Sequence, residues 1–345
     1  MYKIVVDCFG GDNSPNANVE GAIAALKNKN DFSLILTGDE NAIKNELKKY
    51  DYDKSRVEII NAPDVISCEE QPTDAVKSKP DSSMMKGFSA LKEGADALVS
   101  IGSTGALLVG SVLKIGRIKG VSRPALAPLL PTLKDDNFVL FLDAGANADC
   151  KPLNLFHFAI MGSVYMNKVN GVKNPRVALL SNGTEEGKGS ELTKTVYQAL
   201  KSCDKINFVG NVEARDVLSG DYDVVVTDGF SGNIAIKSME GLASAVFTIL
   251  KQEINSSFKA KIGALFMKKS LKSVKSKLDY NRYGGAVFLG AKKIIIKSHG
   301  SSKSLAITAA VLQAATALEG GVNEAIESGL AETTLPLALS DKTDA

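Results

Sequence analysis

The chain has 345 residues, with 41 Lys and Arg against 39 Asp and Glu, 2 His, 44% hydrophobic and 23% charged residues. These are globular proportions with enough apolar residues for a sizeable core, and they exclude disordered, collagen-like and disulfide-scaffold classes. Cys8, Cys68, Cys150 and Cys203 lie far apart, with no Cys-x-x-Cys and no nearby His, so neither a disulfide framework nor a zinc site is expected.

The apolar run at residues 4–6 is too short for a signal peptide, and no stretch approaches the ~18 apolar residues of a membrane span. A cytoplasmic, non-integral protein is expected. Short apolar runs recur at residues 4–6, 34–36, 57–60, 97–100, 139–142, 177–180 and 224–226, each followed by a Gly- or Asp-bearing turn and a helix-like stretch. Continuous apolar runs of this length read as strands buried on both faces, and the strand-then-helix rhythm predicts an α/β fold with a mostly parallel, doubly wound sheet.

Three turns share an Asp-led, Gly-bearing pattern: Asp7-Cys8-Phe9-Gly10-Gly11-Asp12, Asp143-Ala144-Gly145-Ala146-Asn147 and Asp228-Gly229-Phe230-Ser231-Gly232-Asn233. A fourth, Ser100-Ile101-Gly102-Ser103-Thr104-Gly105, is related. At the carboxyl ends of parallel strands such loops meet on one rim, where ligands bind. Two readings stand side by side. Asp and Gly serve as helix caps and turn residues, or the loops together offer backbone N–H groups at helix N-termini to an anion. With no G-x-x-x-x-G-K-[ST] and no G-x-G-x-x-G, a small anion such as inorganic phosphate fits better than a nucleotide.

Further on, Lys188 sits in the Gly-flanked loop Gly187-Lys188-Gly189, either as a solvated surface lysine or as a cation within reach of a phosphate or oxyanion. Asn211, Glu213 and Arg215 follow a strand predicted at residues 206–209, and Arg suits tetrahedral oxyanions through its fork geometry. His157 is expected to be packed on a helix. His299 follows a strand predicted at residues 294–296 and is either a proton donor or part of a capped turn. No G-x-S-x-G elbow occurs, which disfavours a covalent serine mechanism.

Residues 255–278 hold seven lysines and no acid, so the rest of the chain is net acidic although the whole carries only +2. Phe258, Ile262, Leu265 and Phe266 fall on one side of a helical wheel, and Met267, Leu271, Val274 and Leu278 on the other. One straight helix cannot bury both stripes on one face, so two short amphipathic helices are predicted, with a break at residues 263–267. The resulting tip, with Ile262, Leu265, Phe266 and Met267 flanked by Lys268 and Lys269, suits a dimer partner, an acidic carrier protein or an anionic membrane surface, or is an ordinary solvated face. The absence of arginine and the few aromatics argue against nucleic acid.

With these loops in view the chain resembles the bacterial phosphate acyltransferases, the acyl-ACP:phosphate transacylases of phospholipid synthesis. The likeness runs from the Asp7 loop to His299-Gly300-Ser301-Ser302. It passes through Gly116-Arg117-Ile118-Lys119-Gly120, Arg123-Pro124-Ala125-Leu126, Gly145 to Pro152, Gly210-Asn211-Val212-Glu213, the Asp228 loop and Tyr283-Gly284-Gly285-Ala286. Cys8-Phe9 and Ser103 depart from the family's usual Ala-Met and Asn.

The resemblance implies one α/β domain over residues 1–330, similar to isocitrate and isopropylmalate dehydrogenases and to phosphate acetyltransferase. The amphipathic helical hairpin read at 255–278 protrudes from this domain, and the tail at 331–345 lies outside the resemblance and is expected to fray. The resemblance further implies a homodimer at the membrane periphery with no metal or organic cofactor, and transfer of a fatty acyl group from acyl carrier protein to inorganic phosphate. The acyl phosphate product then passes to a glycerol-3-phosphate acyltransferase. On this reading Lys188, Asn233 and His299 are the catalytic candidates. Asp7, Gly10, Gly11, Asp12, Thr104, Gly105, Asn147, Lys151, Asn211, Glu213, Arg215, Asp228 and Gly232 shape the substrate and phosphate site. The competing readings are a short-chain phosphate acyltransferase, a dehydrogenase of related fold, and a non-catalytic membrane scaffold.

Overall fold

A computed structural model describes residues 1–277 and 284–340. The strands are β1 Tyr2–Asp7, β2 Phe32–Gly38, β3 Val57–Asn61, β4 Ala97–Ser100, β5 Ala125–Ala127, β6 Leu129–Pro131, β7 Phe138–Leu142, β8 Arg176–Leu180, β9 Asn207–Val212, β10 Val224–Val226, β11 Ala286–Leu289 and β12 Ile294–Lys297. The helices are α1 Asn16–Asn28, α2 Glu40–Leu47, α3 Pro72–Ser78, α4 Ser83–Lys92, α5 Thr104–Gly110, α6 Pro152–Asn170, α7 Glu191–Lys201, α8 Gly229–Ser256, α9 Phe258–Lys277, α10 Ser304–Glu319, α11 Val322–Glu332 and α12 Leu337–Ser340.

Every apolar run read as a strand is one. The strands form two sheets rather than a single one, with orders β3-β2-β1-β4-β12-β11-β5 and β6-β7-β10-β8-β9. Pairing is parallel except at β11, β5 and β6, which lie where the two sheets meet. These three strands were not legible beforehand. They are three or four residues long, and β5 and β6 are separated only by Pro128, where the chain leaves the larger sheet for the smaller. Pro131 ends β6 at a sheet edge, a position that tolerates a missing N–H.

The continuous apolar strands follow from burial on both faces. In β1, Ile4 and Val6 face the core shared with α1 and α10, whereas Val5 faces Phe88 and Leu107 on the other side. In β7, Leu140 and Leu142 join the same shared core, while Val139 and Phe141 pack toward Ile236 of α8. Each such side chain contributes roughly 1.5–3 kcal/mol on burial. One core cluster runs through both sheets, which fixes their carboxyl-terminal rims against each other.

The hairpin differs from the expected one. α9 is continuous through residues 263–267, and the chain instead turns at Ser257, whose backbone is extended and whose hydroxyl accepts from the Ala260 N–H at 3.1 Å. Ser257 is thus the N-cap of α9, a signal the stripe argument passed over. Opposite apolar stripes do not force a break when neither is buried, and Leu265 and Phe266 are 77% and 87% exposed. α8 is the only single helix among the described residues long and apolar enough to match a membrane span, and none of its apolar window is buried. Lys277 pairs with Asp135 of the body. Leu278 and Tyr283 lie outside the described residues, as do residues 341–345.

The segment from 331, expected to fray, is helical over α12, and Leu339 is buried in the shared core.

Candidate active site

A cleft of about 460 Å³ opens where the rims of the two sheets meet. Among its walls are Thr104 and Gly105 at the start of α5, Gly145 in the loop after β7, Asn233 and Lys237 on the first turns of α8, Lys297 at the end of β12 and His299 beyond it. The sequence-derived rim therefore exists, and it brings together Thr104, Gly105, Asn233 and His299.

Most of the rim N–H groups are satisfied within the protein, so the expectation of an anion held by four loops of backbone donors needs correction. Asp143 Oδ1 accepts from the N–H groups of Leu126, Gly145 and Ala146 at 3.0–3.2 Å, and Oδ2 accepts from the Asn147 N–H and side-chain amide at 2.7 and 2.8 Å. Its pKa is raised chiefly by burial, against which these donors hold it down. Asn147 also donates to the Pro124 carbonyl at 2.8 Å and accepts from the Gly229 N–H at 2.9 Å, so it locks the start of α8 and does not line the cleft. Asp228 caps α8 by accepting from the Ser231 N–H at 2.8 Å. The cap-and-turn reading is the one realised at these loops.

The glycines act through close approach. A Cβ on Gly10 would stand 2.9 Å from Gly102 Cα, and one on Gly11 would stand 2.7 Å from the Gly300 carbonyl. These two positions let the loops after β1, β4 and β12 converge; Asp12, exposed, donates its N–H to that same Gly300 carbonyl at 2.9 Å. A Cβ on Gly232 would lie 1.9 Å from the Asp143 carbonyl, so α8 reaches its position only with glycine there.

Asp7 is buried beneath the cleft floor. Its carboxylate accepts from Ser100 Oγ at 2.7 Å and from the Phe9 N–H at 3.2 Å, while its carbonyl accepts from the Asn18 amide at 2.8 Å. Burial raises its pKa to about 6, opposed by the hydroxyls of Ser83 and Ser100. His299 Nδ1 accepts from the Ser301 N–H at 3.3 Å and lies 2.8 Å from Ser301 Oγ, an arrangement that assigns the neutral-ring proton to Nε2.

A second pocket lies on the other face of α8, bordered by Asp228, Arg215, Gly189 and Ser190. Lys188 is exposed in this neighbouring loop and lines neither pocket. Asn211 holds the loop by donating to the Glu185 carbonyl at 2.9 Å. Glu213 and Arg215 pair at 2.6 Å. Lys151 precedes α6 as its N-cap, away from the cleft lining. His157 is held by Ser122, whose N–H donates to Nδ1 at 3.2 Å, and burial depresses its pKa to about 4. Among the described residues no group of three His, Cys, Asp or Glu side chains assembles a metal site.

Sequence reasoning missed Lys297 and Lys237. The available signal for the first was a lysine closing the otherwise apolar strand Ile294-Ile295-Ile296 two residues before His299. Lys237 stands one turn after Asn233 and pairs with Glu240 at 2.7 Å.

A family model described as "Fatty acid synthesis protein" matches residues 2–325. The phosphate acyltransferase of Alkaliphilus oremlandii is 50% identical over 329 residues, covering 95% of this chain and 97% of that protein. That of Clostridium novyi is 49% identical over 327 residues, covering 94% and 98%. Among solved structures, a phosphotransacetylase from Streptococcus pyogenes superposes with a TM-score of 0.58 at 18% identity over 94% of each chain. A branched-chain phosphotransacylase from Enterococcus faecalis gives 0.52 at 14%, covering 92% of this chain and 100% of that one. These two likenesses show the shared α/β fold. Similarity at this level over nearly the whole sequence places the chain in the phosphate acyltransferase family.

Proposed function

We propose that this protein transfers a fatty acyl group from acyl carrier protein to inorganic phosphate, producing acyl phosphate for phosphatidic acid synthesis. The observation that carries the reading is the inter-sheet cleft, where Asn233, His299 and two lysines face one space in a chain of the phosphate acyltransferase family.

In the proposed reaction a phosphate oxygen attacks the thioester carbonyl carbon of the acyl-carrying arm. The tetrahedral oxyanion collapses as the carbon–sulfur bond breaks, and the proton carried by hydrogen phosphate ends on the departing sulfur. No enzyme nucleophile is needed. The protein contributes position and charge. The Asn233 amide donates to the oxyanion, and His299 Nε2 relays the single proton, giving its own to the sulfur and taking up the one that hydrogen phosphate releases; Lys188, outside the cleft lining, is left without a direct role. Asp7, Asp143 and Asn147 act beneath the surface by holding the loops in register.

The same reading makes the protein cytoplasmic and peripherally membrane-bound, working as a homodimer and handing its product to a glycerol-3-phosphate acyltransferase. Support comes from the exposed apolar and lysine-rich surface of α9, where Ile262, Leu265, Phe266 and Met267 adjoin Lys268 and Lys269. Near an anionic bilayer each such lysine contributes roughly 1 kcal/mol. Incubation with palmitoyl-acyl carrier protein, with and without phosphate, tests the activity through the free carrier thiol. Activity confined to short acyl donors would transfer the reading to a short-chain phosphate acyltransferase.

A further inference from the structure

Strand β12 reads Ile-Ile-Ile-Lys, and its alternation puts Lys297 on the face that Ile295 shares with Val5 and Leu98. Parallel register pairs Lys297 with Ser100 and Val6 with Val99, so Asp7, Ser100 and Lys297 form a row across β1, β4 and β12 where this face reaches the rim. Two of the three are tied together through the Ser100 hydroxyl, which donates to Asp7.

The Lys297 ammonium donates to the Ile101 carbonyl at 3.4 Å and to the Ser298 carbonyl. It makes no ion pair within 4.0 Å among the described residues. Burial pulls its pKa down to about 8, with Cys68 and Asp7 opposing the fall and Lys237 adding to it. A cation in such surroundings is costly for the fold unless an anion meets it. Lys297 lines the cleft together with Lys237, Asn233 and His299.

We propose that Lys297 is a further catalytic residue, whose ammonium binds the inorganic phosphate on the cleft floor through its non-attacking oxygens. This rests on the phosphate acyltransferase reading and adds the residue that holds the nucleophile. Bond making and breaking are unchanged: phosphate oxygen to carbonyl carbon, carbon from sulfur, proton to sulfur. Lys297 keeps its proton throughout. The Asn233 amide is left to the oxyanion side.

The test titrates phosphate at saturating palmitoyl-acyl carrier protein for the wild type, Lys297→Met, Lys297→Arg and, as a control at the opposite end of β12, Lys292→Met. Phosphate binding is measured separately by calorimetry without acyl donor. Loss of a charge-assisted contact predicts a KM for phosphate raised at least ~10-fold in Lys297→Met, with the KM for the acyl donor within about threefold. Partial recovery is expected in Lys297→Arg, and no change in Lys292→Met. Lys297→Gln replaces Lys297→Met if the latter does not fold. An unchanged phosphate KM and unchanged binding in the variant overturn the proposal while leaving the activity intact. Phosphate binding that needs Lys297 in a protein without acyl transfer upholds the phosphate site and overturns the wider reading. A wild type that neither binds phosphate nor turns over overturns both.

Discussion

Gln313 holds the peptide of Gly285 at both ends. Its Oε1 accepts from the Gly285 N–H at 2.9 Å, and its Nε2 donates to the Gly285 carbonyl at 3.2 Å and to Tyr165 Oη at 2.8 Å. A buried amide on α10 thus joins α6 to a segment that walls the cleft. Gly284 has φ of +115°, and a Cβ there would meet Gln313 Oε1 at 2.2 Å. Gln313→Leu strands these groups without partners. A loss of about 1–3 kcal/mol in unfolding free energy by urea denaturation is expected; an unchanged midpoint would contradict the role.

Asp143 organises the turn beneath α8 through five donors. Asp143→Ala leaves several buried N–H groups unsatisfied, each costing about 1–3 kcal/mol. The variant should either fail to accumulate in soluble form or melt far below the wild type. A melting temperature within a degree or two of wild type would refute this.

Gly232→Ala tests the seating of Asn233. The added methyl collides with the Asp143 carbonyl and must displace the first turn of α8. Turnover should fall ~10²-fold or more, the scale set by losing one oxyanion donor. Full turnover in this variant would show that Asn233 does not need its present position.

Burial raises the pKa of Asp7 from 3.8 to about 6. A carboxyl with a raised folded-state pKa penalises the fold while ionised, above about 6, and the penalty is relieved as pH falls toward 3.8. The stability of Asp7→Asn relative to wild type should therefore decline as pH is lowered from about 6.5 to 4. Urea melts across this window check the sign; a relative stability that is flat or rises toward acid would contradict the burial of an ionisable Asp7.

Replacing Lys268, Lys269 and Lys272 with glutamine should weaken sedimentation with anionic liposomes, by roughly 1 kcal/mol per lysine at low salt. Turnover on soluble acyl carrier protein should be retained. Unchanged liposome binding would leave the lysine-rich face without a membrane role.

Much of the fold was legible because it rests on burial on both faces of parallel strands, which writes itself as runs such as Ile4-Val5-Val6. The antiparallel strands at the sheet junction were not, since three-residue pairings carry no periodicity. The hairpin turn at Ser257 was marked by a capping serine rather than by the apolar stripes that drew attention. At the site, Asn233 and His299 were readable from their loops. Asn147 looked like a ligand residue because structural and ligand-binding carboxamides share the same Gly-rich turns. Lys297 escaped notice because its place in the cleft depends on strand register, which no local motif reveals.

Acyl transfer to phosphate is tested most directly by following free thiol and acyl phosphate when the purified protein meets palmitoyl-acyl carrier protein. Stoichiometric release of both that requires added inorganic phosphate is expected. Thiol release that is independent of phosphate, or no release at any chain length with liposomes present, would contradict it.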